Sequence, residues 1–147
     1  MSNLELKLVS YEDAKAAIQF IRQVVFQQEQ SVDPAVDFDG LDEIATHIVA
    51  YKTERPIATA RLRQLSDRTL KLERMAVLAA YRGQGIGREM VKLAIAEGDR
   101  QNAPQLKLNA QIQAQPFYEK LGFAPYGEEF EDAGIRHIEM RRSSNQR

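Results

Sequence analysis

The 147-residue sequence contains no cysteine, which excludes disulfides, thiolate metal sites and covalent cysteine catalysis. It has no apolar run near the ~20 residues that a membrane span requires. The segment from Met1 to Leu8 alternates charge with leucine and lacks the basic-then-apolar build of a secretory signal, so the expected location is cytoplasmic. Net charge is also scarce: the formal value is −1, too little to drive binding to nucleic acid or an anionic membrane. The basic residues are scattered, with Arg141 and Arg142 as the one close terminal pair. Neither nucleic acid nor membrane is an expected partner. The two histidines, His47 and His137, are too widely separated to form a recognisable ligand cluster, and no metal site is expected.

What is present fits a soluble globular domain, with 44% hydrophobic and 28% charged residues. The length suits a single domain, assigned to residues 1–140, followed by a polar tail at 141–147. Leu4, Leu6 and Leu8 alternate with Glu5 and Lys7 as in a half-buried strand. Ser10 can cap a helix whose apolar face carries Ala14, Ala17, Ile18, Ile21, Val24 and Val25, ending near Gln28. From Glu29 to Glu43 there is no Lys or Arg. Asp33, Pro34, Asp37, Asp39 and Gly40 mark an ordered loop with one short helix, while Val32, Val36, Phe38 and Leu41 give it apolar surface to bury.

Three closely spaced strands follow, at His47 to Tyr51, Ile57 to Leu65 and Leu70 to Leu78, and read as an antiparallel meander. A glycine-rich turn from Tyr81 to Gly87 opens a helix with a buried face of Ile86, Met90, Leu93, Ala94 and Glu97. A strand at Lys107 to Gln111 and a short helix at Ala114 to Leu121, stopped by Gly122, come next. A hairpin closes the chain, from Ala124 to Glu131 and Ile135 to Met140. Its exposed residues could pair with a second copy, giving a homodimer. The order predicts an α/β fold with a mixed, mostly antiparallel central sheet flanked by helices.

The most informative residues are Arg82, Gly83, Gln84, Gly85, Ile86 and Gly87, placed between a strand and a helix. A helix start leaves its first amides unpaired, and a polyphosphate fits them through backbone hydrogen bonds and the helix dipole. The glycines allow a tight turn and close approach by a ligand, and Arg82 could add a charge-assisted contact. A P-loop is excluded, because Arg88 and Glu89 stand where it needs lysine and a hydroxyl. A dinucleotide fingerprint also fits badly after an antiparallel meander. Taken alone, the glycines serve a purely structural turn equally well.

Arg82 to Gly87 resembles the acyl-CoA pyrophosphate loop of the GNAT superfamily of N-acetyltransferases. Leu72-Glu73-Arg74-Met75-Ala76-Val77 looks like that family's central strand, and Phe117 to Phe123 resembles its closing helix and turn. The three occur in the family's order, and the resemblance covers nearly the full chain. The segments Arg22 to Gln30, Ala45-Thr46-His47 and Gly134 to Met140 are most similar to the small bacterial ElaA/YjcF-like group.

The resemblance implies a single GNAT-like domain with a splayed slot for acetyl-CoA as cosubstrate. The amides from Arg82 through Gly87 would cradle the pyrophosphate. Backbone groups of Met75, Ala76 and Val77 would pair with the pantetheine arm, as an added strand pairs with a sheet edge. Asn109, Phe117 and Tyr118 would line the same slot, with the acyl group emerging near Glu73, Asn109 and Tyr118. A backbone amide near Met75 or Val77 could stabilise the oxyanion. Phe26, Glu29 and His137 are the candidate acceptor contacts, and the acids at Asp33, Asp37, Asp39, Asp42 and Glu43 could attract a cationic amine or remain a solvated loop.

Amide formation from a thioester needs a neutral amine, a polarised carbonyl and a route for protons. Presenting a lysine-like amine neutral at pH 7 costs roughly 4–5 kcal/mol, so a general base is valuable. Glu73 is the candidate base; a strand-edge ion pair with Arg61, Arg63 or Arg74 is its other reading. Tyr118 is the candidate acid for the departing sulfur, or else a packed ring with no proton to transfer. Phe117 and Leu121, four positions apart, are expected to anchor one helix face and leave Tyr118 pointing to the slot. A non-catalytic acyl-CoA-binding or sensing module is the competing function.

Overall fold

A computed structural model describes residues 3–143. Strand β1 spans Leu4–Ser10 and helix α1 spans Tyr11–Arg22, with the Ser10 hydroxyl accepting a hydrogen bond from the Asp13 amide at 3.1 Å. This is the cap expected from the sequence. The helix does not stay α-helical to Gln28, because Gln23–Glu29 forms a π-helical stretch. The wider turn changes which side chains face inward, and Ile18, Ile21, Arg22 and Val25 are all buried. Helix α2 is a single turn, Pro34–Asp37, capped by the Asp33 carboxylate on the Ala35 amide at 2.9 Å.

Strands β2 (Thr46–Lys52) and β3 (Arg55–Gln64) form an antiparallel hairpin. Its turn residues, Thr53 and Glu54, both have positive φ, which matches the right-handed twist of the flanking strands. Strand β4 covers Leu70–Val77, helix α3 Ile86–Arg100 and strand β5 Gln105–Gln111. The five-residue helix α4, Gln115–Glu119, precedes the last hairpin of β6 (Ala124–Asp132) and β7 (Ile135–Ser143). The seven strands follow the order β1-β2-β3-β4-β5-β7-β6. Pairing is antiparallel for β1–β2, β2–β3, β5–β7 and β6–β7, and parallel for β4–β5. The sheet is therefore mixed and mostly antiparallel, with helices flanking it. β7 continues through Ser143, three residues into the stretch read as a polar tail; residues 144–147 lie outside the described part.

The chain divides into two compact units, residues 1–63 with 74–91 and residues 64–73 with 92–147. In the first, Tyr11, Ala14, Ile18 and Val49 form one apolar cluster. Ile21, Val25 and Ala76 form another, with Phe26 and Leu78 packed on it. In the second, the alternation along β5 buries Leu106, Leu108 and Ala110 and leaves Asn109 exposed. Ile138 and Met140 of β7 are buried in the same way. No helix among the described residues is long and apolar enough to cross a membrane.

Candidate active site

The turn between β4 and α3 is shaped by two residues. Gly83 and Gly85 have φ values of +77° and +82°, in the left-handed region where a Cβ is disfavoured. A Cβ built on either would meet nothing within 4 Å, so the space beside the turn is open to a ligand. Helix α3 then starts at Ile86, with Glu89 N–H donating to Gly85 O at 3.1 Å. The amides of Ile86, Gly87 and Arg88 precede that bond, at the positions where an α-helix offers its donors no intrahelical partner. This donor set, with no backbone or side chain filling the turn, fits a pyrophosphate.

Arg82 is already oriented. Its Nε donates to Val77 O at 2.8 Å, and its Nη2 contacts Glu29 Oε1 at 2.6 Å. Glu29, expected as an acceptor contact, thus ends the π-helical stretch with its carboxylate on the loop arginine. Gln84 is held by Lys52 Nζ at 3.2 Å. Phe26 packs against the cluster of Ile21, Val25 and Ala76, in which residues of α1 and the π-helical stretch meet one of β4. Met75 and Val77 are half-buried on either side of buried Ala76.

The other candidates belong to the second unit. Parallel pairing of β4 with β5 covers Leu70↔Leu106 and Lys71↔Lys107, and among the described residues it does not extend to Glu73 and Asn109. Glu73 Oε1 lies 3.3 Å from Lys71 Nζ, two positions back on the same face. Asn109 is exposed and sits opposite Glu139 of β7. His137 Nδ1–H donates to Ile135 O at 2.8 Å, and its ring stacks on Phe130 with centroids 5.8 Å apart.

Tyr118 corrects one expectation. It is the buried member of α4 at 9% exposure, whereas Phe117 is 36% exposed and Leu121 is half-buried. The reason is length: α4 stops at Glu119, so Phe117 and Leu121 never form an i,i+4 pair on one helix. The Tyr118 ring instead meets Phe117 and Phe123 edge-on, at 4.9 and 5.9 Å. Burial pushes its phenol up to about 12, so it is a firmly protonated donor at neutral pH.

The acidic segment holds the largest surprise. Asp37 and Asp42 are buried and Asp39 is partly covered, and all three bind arginine. Arg22 reaches Asp37 at 3.0 Å and Asp42 at 2.7 Å. Arg61 reaches Asp39 and Asp42, both at 2.9 Å. The Arg61 hydrogen bond holds the Asp39 carboxyl well below the usual carboxylate range. These three acids are internal counterions and offer little to attract an incoming amine. One signal for this lay in the sequence: Ile18, Ile21, Arg22 and Val25 share helical spacing, which puts an arginine on an apolar face. His47 is buried beside the cluster, donating from Nε2 to Asp42 O at 2.9 Å, and its Nδ1 has no hydrogen-bond partner among the described residues.

Comparison with known proteins shows the family. The family model "Acetyltransferase (GNAT) domain" matches residues 9–144. YjcF of Bacillus subtilis, an uncharacterized N-acetyltransferase, is 41% identical over 125 residues, covering 82% of this chain and 86% of that protein. Protein ElaA of Escherichia coli is 33% identical over 128 residues, covering 83% and 82%; its crystal structure superposes with a TM-score of 0.84 over 95% of this chain and 99% of that one. The crystal structure of an acyl-CoA N-acyltransferase from Pseudomonas aeruginosa, 28% identical, gives a TM-score of 0.86 over 95% and 99%. The chain belongs to the GNAT superfamily of acetyltransferases, and within it stands nearest the ElaA/YjcF-like group.

Proposed function

We propose that this protein transfers the acetyl group of acetyl-CoA to an amine by direct attack on the thioester. The observation that carries the reading is the open turn of Arg82 to Gly87, whose geometry suits a pyrophosphate, in a chain of an acetyltransferase family. Arg82, Gly83, Gln84, Gly85, Ile86 and Gly87 hold the phosphates, with Arg82 pre-aimed by Val77 O. Met75, Ala76 and Val77 present backbone groups to the pantetheine arm.

In the reaction, a neutral amine nitrogen bonds to the carbonyl carbon, and charge moves onto the carbonyl oxygen. The Met75 N–H donates to that oxygen as its charge grows. The carbon–sulfur bond then breaks, and the Tyr118 phenol gives its proton to the sulfur. Its high pKa keeps that proton available at any physiological pH. Glu73 takes the proton lost by the amine, directly or through water. Asn109 orients the arm or the water, and Phe26 and His137 bound the acceptor side. Glu29 acts at the border of donor and acceptor through its contact with Arg82.

The test mixes acetyl-CoA with a panel of small amines, amino acids and peptide N-termini. Free CoA and the acetylated product are measured together. Equal amounts of both, dependent on the amine, support the reading. Acetyl-CoA binding without release of CoA across the whole panel would instead identify an acyl-CoA-binding or sensing module.

A further inference from the structure

Arg74 stands inside β4 with φ at +55°, in the left-handed region that a residue with a Cβ occupies only at a cost. A residue with a Cβ keeps that conformation only where surrounding contacts over-determine it. The Arg74 guanidinium supplies them. Nη2 donates to Val36 O at 3.2 Å and to Asp39 Oδ2 at 3.1 Å. Nε lies 3.3 Å from both Asp37 O and Asp37 Oδ1. These acceptors are fixed in their turn. Arg22 binds Asp37 through Oδ1 and through its carbonyl oxygen, at 3.0 and 2.8 Å. Arg61 holds both oxygens of Asp39, at 2.9 and 3.0 Å. Asp42 joins Arg22 to Arg61, so three arginines and three aspartates are linked in one cluster. The segment from Val36 to Asp42 is therefore a strap anchored on α1 and β3, and Arg74 is gripped by it.

The peptide plane that carries the Met75 N–H is attached to the Cα of Arg74, so its direction follows the Arg74 dihedrals. We propose that Arg74 is a positioning residue for acetyl transfer: its grip on Asp37 and Asp39 maintains the left-handed kink in β4 that aims the Met75 N–H at the thioester carbonyl. This rests on the reading of Met75 as the oxyanion donor. Without the grip, Arg74 relaxes toward negative φ and the donor swings away. No part of Arg74 touches substrate; it acts through the backbone of its neighbour.

Three variants separate this role from simple stabilisation. Arg74→Ala removes the grip and keeps the Cβ that disfavours the kink. Arg74→Gly removes the grip and the Cβ together, so the kink stays accessible. Asp39→Asn weakens the grip from the other side. For Arg74→Ala the expected kcat falls about 10–100-fold per folded molecule, approaching the ~10²–10³-fold loss of a whole oxyanion donor. The KM for acetyl-CoA stays within about threefold, because the phosphate turn is untouched. Arg74→Gly recovers part of the loss, and Asp39→Asn falls between the original protein and Arg74→Ala. A parallel measurement follows the Met75 amide proton by NMR in the CoA and acetyl-CoA complexes. The shift between the two complexes is expected to be present in the original protein, absent in Arg74→Ala and partly restored in Arg74→Gly. Unchanged kcat in Arg74→Ala, or Arg74→Gly no better than Arg74→Ala, overturns the positioning role. A Met75 amide in the original protein that ignores the acetyl group refutes the donor assignment itself, and the positioning role falls with it.

Discussion

Glu29→Gln is expected to tighten CoA binding, although Glu29 lies next to the phosphate turn and looks like part of its support. In the free protein the Glu29 carboxylate sits 2.6 Å from Arg82 Nη2. A pyrophosphate entering the turn must compete for that guanidinium. Both side chains are well solvated, at 33% and 48% exposure, so the pair is worth only about 0.2–1 kcal/mol. Removing the charge releases that amount to the ligand, which is about 1.4-fold to fivefold in Kd. Arg82 does not lose its aim, because Nε remains bonded to Val77 O at 2.8 Å. Titration calorimetry with CoA at low and moderate salt measures the effect, which shrinks as salt screens the competing charge. Pantetheine has no pyrophosphate and serves as the control; its affinity is expected to stay the same. Weaker CoA binding by Glu29→Gln would refute the reasoning and mean that Glu29 supports Arg82. Equal tightening for pantetheine would place the effect elsewhere in the site.

Tyr118→Phe keeps the ring packing on Phe117 and Phe123 but removes the proton donor, so kcat is expected to fall about 10²-fold while acetyl-CoA affinity stays within severalfold. Single-turnover CoA release with separate binding measurements distinguishes this from a packing role. Glu73→Gln is expected to slow transfer most below the acceptor's pKa, where the amine still carries the proton to be removed, and rates across pH with one verified amine check it. Acid should destabilise the fold through His47. Burial, the largest cause, holds its pKa below the ordinary 6.5, so below that pH the unfolded chain binds more protons than the folded one. Stability is then lost as pH falls from 6.5, by at most about 1.4 kcal/mol per pH unit from this group. Urea titrations between pH 7 and pH 5 should show the slope, and His47→Gln should flatten it; an identical slope in the variant would remove His47 as the cause.

The sequence carried the parts of this molecule that depend on local chemistry. Ser10 announces a helix start, Leu106, Leu108 and Ala110 alternate with Asn109, and the glycines at 83 and 85 mark a turn with positive φ. The phosphate turn was legible because its function resides in the backbone, and backbone needs write themselves as glycine. The aspartates of the acidic segment were misleading for the opposite reason. Their partners Arg22, Arg61 and Arg74 come from three distant elements, and composition within a window cannot reveal a counterion that folding brings from elsewhere. The kink at Arg74 was hidden too, since a non-glycine residue at φ +55° is fixed by tertiary contacts rather than by its own preference. Phe117 and Leu121 do not share a helix face because α4 ends at Glu119, a stop that i,i+4 spacing alone does not reveal.

The π-helical stretch from Gln23 to Glu29 makes this part of the protein sensitive to length more than to composition. One residue of an α-helix advances the side-chain direction by about 100°. Deleting any single residue there would tighten the coil and turn Phe26 or Glu29 out of register with their present neighbours, the apolar cluster containing Ala76 and the Arg82 guanidinium. Substitutions that preserve the burial of Val25 could accumulate in this stretch over evolutionary time, while insertions and deletions would be removed by selection.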